Sequence, residues 1–406
     1  MIYKKIFLQI LESYIHPTKQ QIYIENMSEE EWKELLNLSA IHSVVPIIHE
    51  SVWQNESYQK LPEQVKSSLK QFSKIQIIRQ SQYTAFFIQL YRVFLKNNLK
   101  VLVIKGLILR DMYQNPDYRV SGDEDILVKQ QDFRKVDEML YQCGFIREAI
   151  EDPEDQHEIS YYHRGNGFHL ELHLTLFPIE SDAYGKLNDD FQNIFERSVV
   201  ENIQDTEIYT LNPTQHMLYL FCHGLKHFLH SGFGIRQLCD MVLFAEKYNE
   251  DICWNEIIQI LKEEQMYVFV MNLLDIGEKH LGFSWEKAGL QKTTEDIFDS
   301  EKLLEDLLAA GVYGKSDEDR NHSANITLQA VQTRKEFEGI RHSLFPQYSY
   351  MCTQYSYLKK YRFLLPIAWI SRIITYLTKT KKNSVKKTVE IGKQRVDLLR
   401  KYKIID

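Results

Sequence analysis

Hydrophobic residues recur at helical spacing through the first part of the chain. Ser28 and the three glutamates that follow it have the pattern of a capped helix start, and Trp32 and Leu35 continue at helix-like intervals. A longer helical pattern without internal glycine or proline runs over about residues 62–98. These patterns predict an N-terminal helical region over residues 1–98.

The pattern becomes strand-like after residue 98, where short apolar or alternating runs lie between polar turns. The Gly-Asn-Gly sequence at 165–167 separates two of these runs and predicts a hairpin. The segments that we predict as strands are 101–104, 123–128, 159–164 and 168–176. The segments that we predict as helices between them are 107–113 and 131–142.

The second half of the chain is again helical in pattern. Asn212 followed by Pro213 is typical of a helix start, because Asn caps the free N–H groups and Pro fits the first turn. We therefore predict an α+β fold in which a small mixed or antiparallel sheet with helices is embedded between N-terminal and C-terminal helical regions. The expected parts are a helical region (1–98), the sheet-bearing domain (99–210), a helical domain (211–340) and a basic helical segment (341–406).

The composition is that of a globular protein, with 44% hydrophobic and 12% aromatic residues among 406. The five cysteines are scattered without a Cys-x-x-Cys pair, which argues against a disulfide framework and a thiolate metal site and favours the cytoplasm. No apolar stretch approaches the roughly 18 residues that a membrane span requires. The N-terminus lacks the apolar core of a signal peptide.

The net charge of −7 is unevenly distributed, since 14 Lys and Arg face only three Asp and Glu from Tyr357 to the end. The acidic remainder argues against broad nucleic-acid binding. In the basic segment, the apolar run 363–370 precedes a cluster of lysines. This arrangement is compatible with contact to an anionic membrane surface or to RNA, or with an apolar run packed on the body beside solvated lysines.

Candidate chemistry is concentrated on two of the predicted strands. In the first, Asp123 and Asp125 share one face, about 7 Å apart along the strand, and can bind divalent cations that prefer oxygen ligands. In the second, Glu171 lies between His169 and His173 on a face opposite a row of leucines. If the two strands are neighbours, the three carboxylates converge; otherwise each strand has an ordinary solvated polar face.

A lysine and a glycine end the first predicted strand. Lys105 and Gly106 precede a predicted helix, whose free N–H groups and partial positive charge suit a phosphate. Strand–glycine–helix junctions are also common in proteins that bind no phosphate. Lys105 and Gly106 therefore indicate phosphate binding only in combination with the other candidate residues.

The order of these elements resembles the bacterial uncharacterised nucleotidyltransferase family of the DNA polymerase β-type superfamily, which has Lys-Gly where relatives have Gly-Ser. The stretches that carry the resemblance are 104–106, Tyr113, 119–128 and 170–173. The outer segments 40–46, 344–346 and 364–369 resemble the helical regions of that family.

The resemblance implies a magnesium-dependent enzyme that moves an NMP group from an NTP, such as ATP, to a hydroxyl acceptor and releases pyrophosphate. The acceptor would be a small molecule, a protein or an RNA end. Catalysis and the binding of two Mg²⁺ ions would fall to Asp123, Asp125 and Glu171. Residues 99–210 would form the catalytic domain, with 211–340 as the other wall of the cleft. The residues implied in nucleotide binding are Lys105, Gly106, Ser121, Gly122 and Arg236.

One departure from the family pattern is Glu124, which stands at a usually apolar position. Either it pairs with a cation, such as one from the N-terminal helices, or its strand lies nearer the sheet edge. Glu124 also motivates an alternative, a catalytically degenerate nucleotide-binding or scaffold protein. A third hypothesis is a metal hydrolase built on His169, Glu171 and His173.

Two further pairs lie at i, i+4 spacing on the later helices. His223 and His227 lack the Glu of a His-Glu-x-x-His zinc site, so we interpret them as packing or hydrogen-bonded residues. Arg236 and Asp240 form either a surface helix pair, worth about 0.2–0.5 kcal/mol, or a phosphate contact through Arg236.

Overall fold

The computed structural model describes residues 2–16, 24, 27–148, 152–181, 183–230, 232–292, 299–311, 326–328, 330–331, 348, 351–352, 355–371 and 382–405. The chain divides into two compact units. The first contains Met1–Cys222, Ile235–Ile260 and Leu274–Lys292, and the second contains His223–Gly234, Leu261–Leu273 and Thr293–Asp406. The predicted α+β class is confirmed.

The N-terminal region consists of five helices: α1 (Ile2–Ile15), α2 (Glu29–Ile41), α3 (Val45–Val52), α4 (Glu56–Gln59) and α5 (Glu63–Lys96). The predicted cap of α2 is present. The Ser28 hydroxyl accepts from the backbone N–H of Glu31, and the Glu31 carboxylate accepts from that of Ser28. The 34-residue helix α5 matches the long helical pattern of the sequence and carries Phe87 and Tyr91 into the core.

The main sheet is mixed, as the sequence predicts. Its strands are β1 (Leu102–Val103), β2 (Asp123–Leu127), β3 (Phe145–Arg147), β4 (Glu158–His163) and β5 (His169–His173), in the order β1-β2-β5-β4-β3. Among the described strands of this sheet, β2 and β5 pair in parallel and the other neighbours pair antiparallel. The helices α6 (Leu107–Arg110) and α7 (Phe133–Gln142) lie between these strands in the chain.

One face of this sheet is apolar and packs against helices. Ile126 of β2 and Leu170 and Leu172 of β5 are fully buried in one core cluster with Phe87 of α5 and Val136 of α7. Because side chains alternate along a strand, the neighbouring positions of β2 and β5 point to the opposite face. The apolar core therefore fixes which residues form the polar face.

The sequence analysis missed a second, two-stranded sheet of β6 (Val199–Ile203) and β7 (Thr206–Thr210). Its turn residues Gln204 and Asp205 both have positive φ, 47° and 56°. This geometry normally favours Asn-Gly or Asp-Gly, so the Gln-Asp pair gave no recognisable hairpin signal.

In the described part of the chain after β7, the longer helices are α8 (Pro213–His230), α9 (Ile235–Lys247), α10 (Trp254–Glu263), α11 (Tyr267–Leu281), α12 (Ser300–Ala310) and α13 (Lys382–Lys401), and residues 365–371 form a short helix. The predicted cap at the start of α8 is present, since the Asn212 side chain accepts from the backbone N–H of Gln215 at 3.1 Å. The resemblance over 344–346 lies outside the described residues, as do residues 372–381, which include the first lysines after the apolar run 363–370. Among the helices that the structure describes, none is both long and apolar enough to cross a bilayer.

Glu124 lies on the core face of β2, where it forms a buried ion pair with Arg110 of α6. The backbone N–H of Leu107 donates to the same carboxylate at 2.8 Å. The partner cation thus comes from the helix that follows β1, and not from the N-terminal helices that the sequence suggested. Gly106 has a φ of +43°, and a Cβ there would collide with the Glu124 carboxylate. Glycine is therefore required at this position by both conformation and space.

This buried pair predicts a large difference between single and double substitutions. Arg110→Met leaves the Glu124 carboxylate uncompensated and should cost about 3–5 kcal/mol of unfolding free energy. Arg110→Met combined with Glu124→Met should recover most of that loss, because two apolar side chains replace the pair. Urea unfolding measures both effects.

A matched control for Arg110 is Arg134→Met, since Arg134 pairs with Glu154 at the surface. This control should leave the unfolding midpoint unchanged. A single Arg110 variant that unfolds at the wild-type urea concentration would contradict the assignment.

Candidate active site

The polar face of the sheet brings together side chains from β2 and β5. The parallel pairing places Asp125 beside Glu171 and Leu127 beside His173. Residues that pair across neighbouring strands lie on the same face, with their strands about 4.8 Å apart. Asp125, Glu171 and His173 therefore share one small area of this face.

The next strand extends the same area. In the antiparallel pairing of β4 with β5, Ser160 lies opposite Glu171 and Glu158 lies opposite His173. The Nδ1 atom of His173 is 3.8 Å from a carboxylate oxygen of Glu158. Sequence reasoning missed Glu158, because it placed this residue in the loop before a strand predicted to begin at residue 159, whereas β4 begins at Glu158.

Three of these residues form a group that could hold a metal ion. Asp125, Glu171 and His173 each offer a ligand atom within 4.8 Å of the others. The Nε2 atom of His173 is 3.3 Å from Asp125 Oδ1 and 4.0 Å from Glu171 Oε2. Asp125 and His173 are buried and Glu171 is partly exposed. Two carboxylates and one imidazole are a donor set that fits a divalent cation.

Asp123 borders this cluster without belonging to it. It pairs with His169 at the start of β5, is half-buried, and lies outside the group of three potential ligands. Burial raises the pKa of Asp123, and the charge of Asp125 adds to that effect. The two aspartates of the sequence motif are thus electrostatically coupled neighbours on one strand face.

Lys105 supplies a positive charge at the centre of the site. Its Nζ atom is 2.6 Å from Asp125 Oδ1, and the side chain is largely buried. It is held there because β1 pairs with β2, and the backbone N–H of Ile104 donates to the Asp125 carbonyl at 3.1 Å. Lys105 therefore balances the charge of Asp125 directly.

The carboxyls of the site differ strongly in their affinity for protons. Burial opposes the ionisation of Asp125, but Lys105 and His173 outweigh it and lower the pKa of Asp125 below its ordinary value. Burial raises the pKa of Glu171 to about 9, with further contributions from the charges of Asp125 and Asp123. At neutral pH the metal-free site thus has an ionised Asp125 beside a protonated Glu171.

The loop that leads into β2 is braced by buried hydrogen bonds. Arg119 donates two bonds to the Asp240 carboxylate, at 2.9 and 2.7 Å, and the Tyr113 hydroxyl donates to it at 2.8 Å. Arg236 donates to the carbonyl of Val120. Both Arg236 and Asp240 are buried, so the interpretation of the two as a surface helix pair is wrong.

The other predicted nucleotide-binding residues lie in this loop and at the end of β1. The backbone N–H of Ser121 donates to the Gln80 side chain at 2.8 Å, and its hydroxyl accepts from Arg110 at 2.9 Å. Gly122 is exposed, with open space where a Cβ would lie. Gly106 adjoins Lys105 and is occupied on its core side by Glu124.

Two further histidines, His169 and His216, differ in their burial and in their contacts. His169 is exposed, so the trio of the hydrolase hypothesis is not assembled; Asp125 takes its place beside Glu171 and His173. His216 of α8 is buried with Nε2 2.9 Å from the Ile104 carbonyl, and burial lowers its pKa to about 4. As a neutral donor, His216 anchors the end of β1 next to Lys105.

Helix α8 contains three further residues of interest: Tyr219, His223 and His227. Tyr219 of α8 is fully buried, and burial raises its pKa; the charge of Lys105 opposes this rise and the charge of Asp125 adds to it. Sequence reasoning missed this residue as a neighbour of the site. His223 and His227 contact each other, with their Nε2 atoms 3.1 Å apart.

A protein-family model described as an uncharacterised nucleotidyltransferase matches residues 28–282, a range that contains every site residue described above. The chain belongs to this family. No curated protein and no solved structure matches the chain. The nucleotidyltransferase family implies a nucleotide substrate, and the cluster of Asp125, Glu171 and His173 provides a plausible place for a divalent metal beside it.

The raised pKa of Glu171 predicts how the stability of the metal-free nucleotidyltransferase depends on pH. Between the ordinary value of 4.5 and about 9, the folded protein holds a proton on Glu171 that the unfolded chain has lost. Stability should therefore fall as pH rises through this window. Glu171→Gln removes the titration, so its melting temperature in EDTA should decline less between about pH 6 and pH 9.

The matched control for Glu171 is Glu207→Gln, because Glu207 is exposed on β7. Its melting temperature should follow the wild-type pH dependence. Parallel curves for the wild type and Glu171→Gln would show that this carboxyl titrates normally.

Proposed function

We propose that the protein transfers a nucleoside monophosphate from an NTP to a hydroxyl acceptor, with release of pyrophosphate and in dependence on Mg²⁺. The observation that carries the proposal is the convergence of Asp125 and Glu171, with Asp123 beside them and Lys105 in contact, on one face of β2 and β5. The acceptor oxygen would bond to the α-phosphorus as the bond from that phosphorus to the pyrophosphate oxygen breaks.

Asp123, Asp125 and Glu171 are the residues that would hold two Mg²⁺ ions. When bound, such ions neutralise phosphate charge and lower the pKa of the acceptor hydroxyl. His173 would fix the orientation of Asp125 through the contact at Oδ1, and Glu158 on its other side would hold the imidazole in place. Glu171 is partly exposed and would take the proton from the acceptor in its ionised form, which a bound cation favours over the protonated form.

The nucleotide would be bound by the residues around the ends of β1 and β2. Lys105 would exchange its contact with Asp125 for one with the triphosphate, and Gly106 and the exposed Gly122 would let the backbone at the ends of β1 and β2 take part in binding it. Ser121 would be presented by the braced loop. Arg236 lies close enough to lower the pKa of Asp123, so its charge would stabilise phosphate at that end of the site.

The geometry favours catalysis over a degenerate scaffold. The departure that motivated the scaffold hypothesis was Glu124, and its carboxylate is bound by Arg110 on the core face. The polar face of β2 keeps the regular alternation that places Asp123 and Asp125 together. The hydrolase hypothesis has less support, because Asp125 and not His169 is grouped with Glu171 and His173.

The proposal predicts a Mg²⁺-dependent stabilisation by at least one NTP. A ligand at 100 times its Kd stabilises a protein by about 2.7 kcal/mol, which raises the melting temperature measurably. Asp125→Asn should abolish that shift. It should also reduce transfer of label from the α-phosphate of the NTP into acceptors of a cell extract by about 100-fold or more.

The matched control for Asp125 is Asp205→Asn. Asp205 is exposed in the β6–β7 turn with a φ of 56°, a conformation that Asn tolerates well. This control should keep both the thermal shift and the label transfer. The proposal fails if ATP, GTP, CTP and UTP leave the wild-type melting temperature unchanged with Mg²⁺, or shift Asp125→Asn equally.

The contact between Lys105 and Asp125 predicts opposite effects on metal and nucleotide. Lys105→Met frees Asp125 from its ion pair, so Mn²⁺ alone, used as a spectroscopic probe, should bind more tightly than in the wild type. Stabilisation by NTP with Mg²⁺ should weaken, because a phosphate-binding charge is lost. Electron paramagnetic resonance titration of Mn²⁺ and thermal melting measure the two effects.

Lys129→Met is the control for Lys105, since Lys129 pairs with Glu196 at an exposed position. Both ligands should bind this control as they bind the wild type. Weaker Mn²⁺ binding by Lys105→Met would show that Lys105 supports the metal site instead of competing with the cation.

A further inference from the structure

The second unit contains a short helical segment, one side of which packs into an apolar cluster. Met351, Leu358 and Ala368 are fully buried in a small apolar cluster of their own. The partly buried residues that pack against this cluster include Leu364, Leu365 and Trp369. Residues 365–371 are helical, so these side chains cover one side of the segment.

The opposite side of the same segment carries a stripe of exposed apolar residues. Phe363, Ile367 and Ile370 are 76%, 59% and 56% exposed. Ile367 and Ile370 lie three residues apart on one face of this helix, and Phe363 lies in the 3-10 turn Arg362–Leu364 that leads into it. Single exposed apolar residues are common, but a row of large ones on a helix whose other face is already packed marks a contact surface.

The sequence that contains this stripe is rich in basic residues. Lys360 and Arg362 are exposed directly beside Phe363. The Lys360 ammonium group lies 5.5 Å from the centre of the Tyr361 ring. The chain from Tyr357 to its end has 14 Lys and Arg against three Asp and Glu. Apolar side chains flanked by cationic and tyrosine side chains are typical of a helix that lies in the headgroup region of a bilayer.

We propose that this stripe is a membrane-binding surface for anionic lipid bilayers. Phe363, Ile367 and Ile370 enter the boundary between headgroups and acyl chains, and Lys360 and Arg362 contact lipid phosphates. The segment lies in the plane of the membrane surface, as its seven helical residues are far fewer than the roughly 20 that a span requires.

The chemistry of the stripe favours lipid over the other partners of a basic segment. RNA recognition uses cationic side chains with aromatic rings that stack on bases, and Ile367 and Ile370 contribute nothing to such stacking. A second copy of the chain would bring a like-charged segment against this one, which costs free energy. An anionic bilayer offers acyl chains to the apolar stripe and negative headgroups to the basic side chains beside it.

Vesicle flotation with the full-length protein tests this surface. Vesicles of phosphatidylcholine with added phosphatidylglycerol should carry the protein, whereas phosphatidylcholine alone should carry much less. The triple variant Phe363→Ser, Ile367→Ser, Ile370→Ser should bind anionic vesicles at least about tenfold more weakly. Its melting temperature should stay at the wild-type value, since the three side chains are exposed.

Two further variants separate the apolar from the electrostatic contribution. Ile179→Ser is the matched control, because Ile179 is 71% exposed in the first unit, and it should bind vesicles normally. Lys360→Glu with Arg362→Glu should reduce binding to anionic vesicles towards the level on neutral ones. Added salt should weaken wild-type binding in the same direction.

Three results would overturn the proposal. The first is anionic-vesicle binding by the triple variant that equals that of the wild type. The second is a wild-type protein that ignores vesicles but binds a single-stranded RNA oligonucleotide. The third is a wild-type dimer that ignores vesicles and becomes a monomer in the triple variant. None of these results depends on nucleotidyl transfer, so the membrane surface and the proposed activity can fail separately.

Discussion

The site depends on the parallel pairing of β2 with β5. This pairing sets Asp125 directly beside Glu171 on a largely buried face, where two negative charges repel and water screens them poorly. Any other register would separate them, and a slip by one residue would turn one of them into the core. The leucines of β5 prevent that slip, because Leu170 and Leu172 must remain in the apolar cluster.

The metal-free site relieves this repulsion in two ways. Lys105 and His173 stabilise the ionised form of Asp125, and burial keeps a proton on Glu171. A divalent cation could replace both the proton and the lysine charge, so it would compete with groups that already compensate the carboxylates. In the proposed function, metal binding and nucleotide binding would thereby be coupled, since the displaced Lys105 would need a new anion and a triphosphate would provide one.

The sequence revealed much of this arrangement because alternation along a strand is strictly periodic. It placed Asp123 and Asp125 on one face and the leucines of β5 in the core, and the predicted hairpin and helix caps followed from local turn and capping chemistry. It did not reveal His173 as a partner of Asp125, or Glu158 behind it, because those contacts depend on which strands are neighbours and in what register. The buried pairing of Arg119 with Asp240 joins residues 121 positions apart, and no local pattern encodes such a contact.

The antiparallel pairing of β1 with β2 explains why a lysine and a glycine follow β1. Lys105 and Gly106 lie across from the consecutive acids Asp125 and Glu124, which point to opposite faces of the sheet. On the polar face, the lysine neutralises Asp125. On the core face, the missing side chain of glycine admits the Glu124 carboxylate, which Arg110 then neutralises. Glu124 is thus part of a matched arrangement: an apolar residue in its place would leave Arg110 buried without a counter-charge, and a larger residue than glycine would displace the carboxylate.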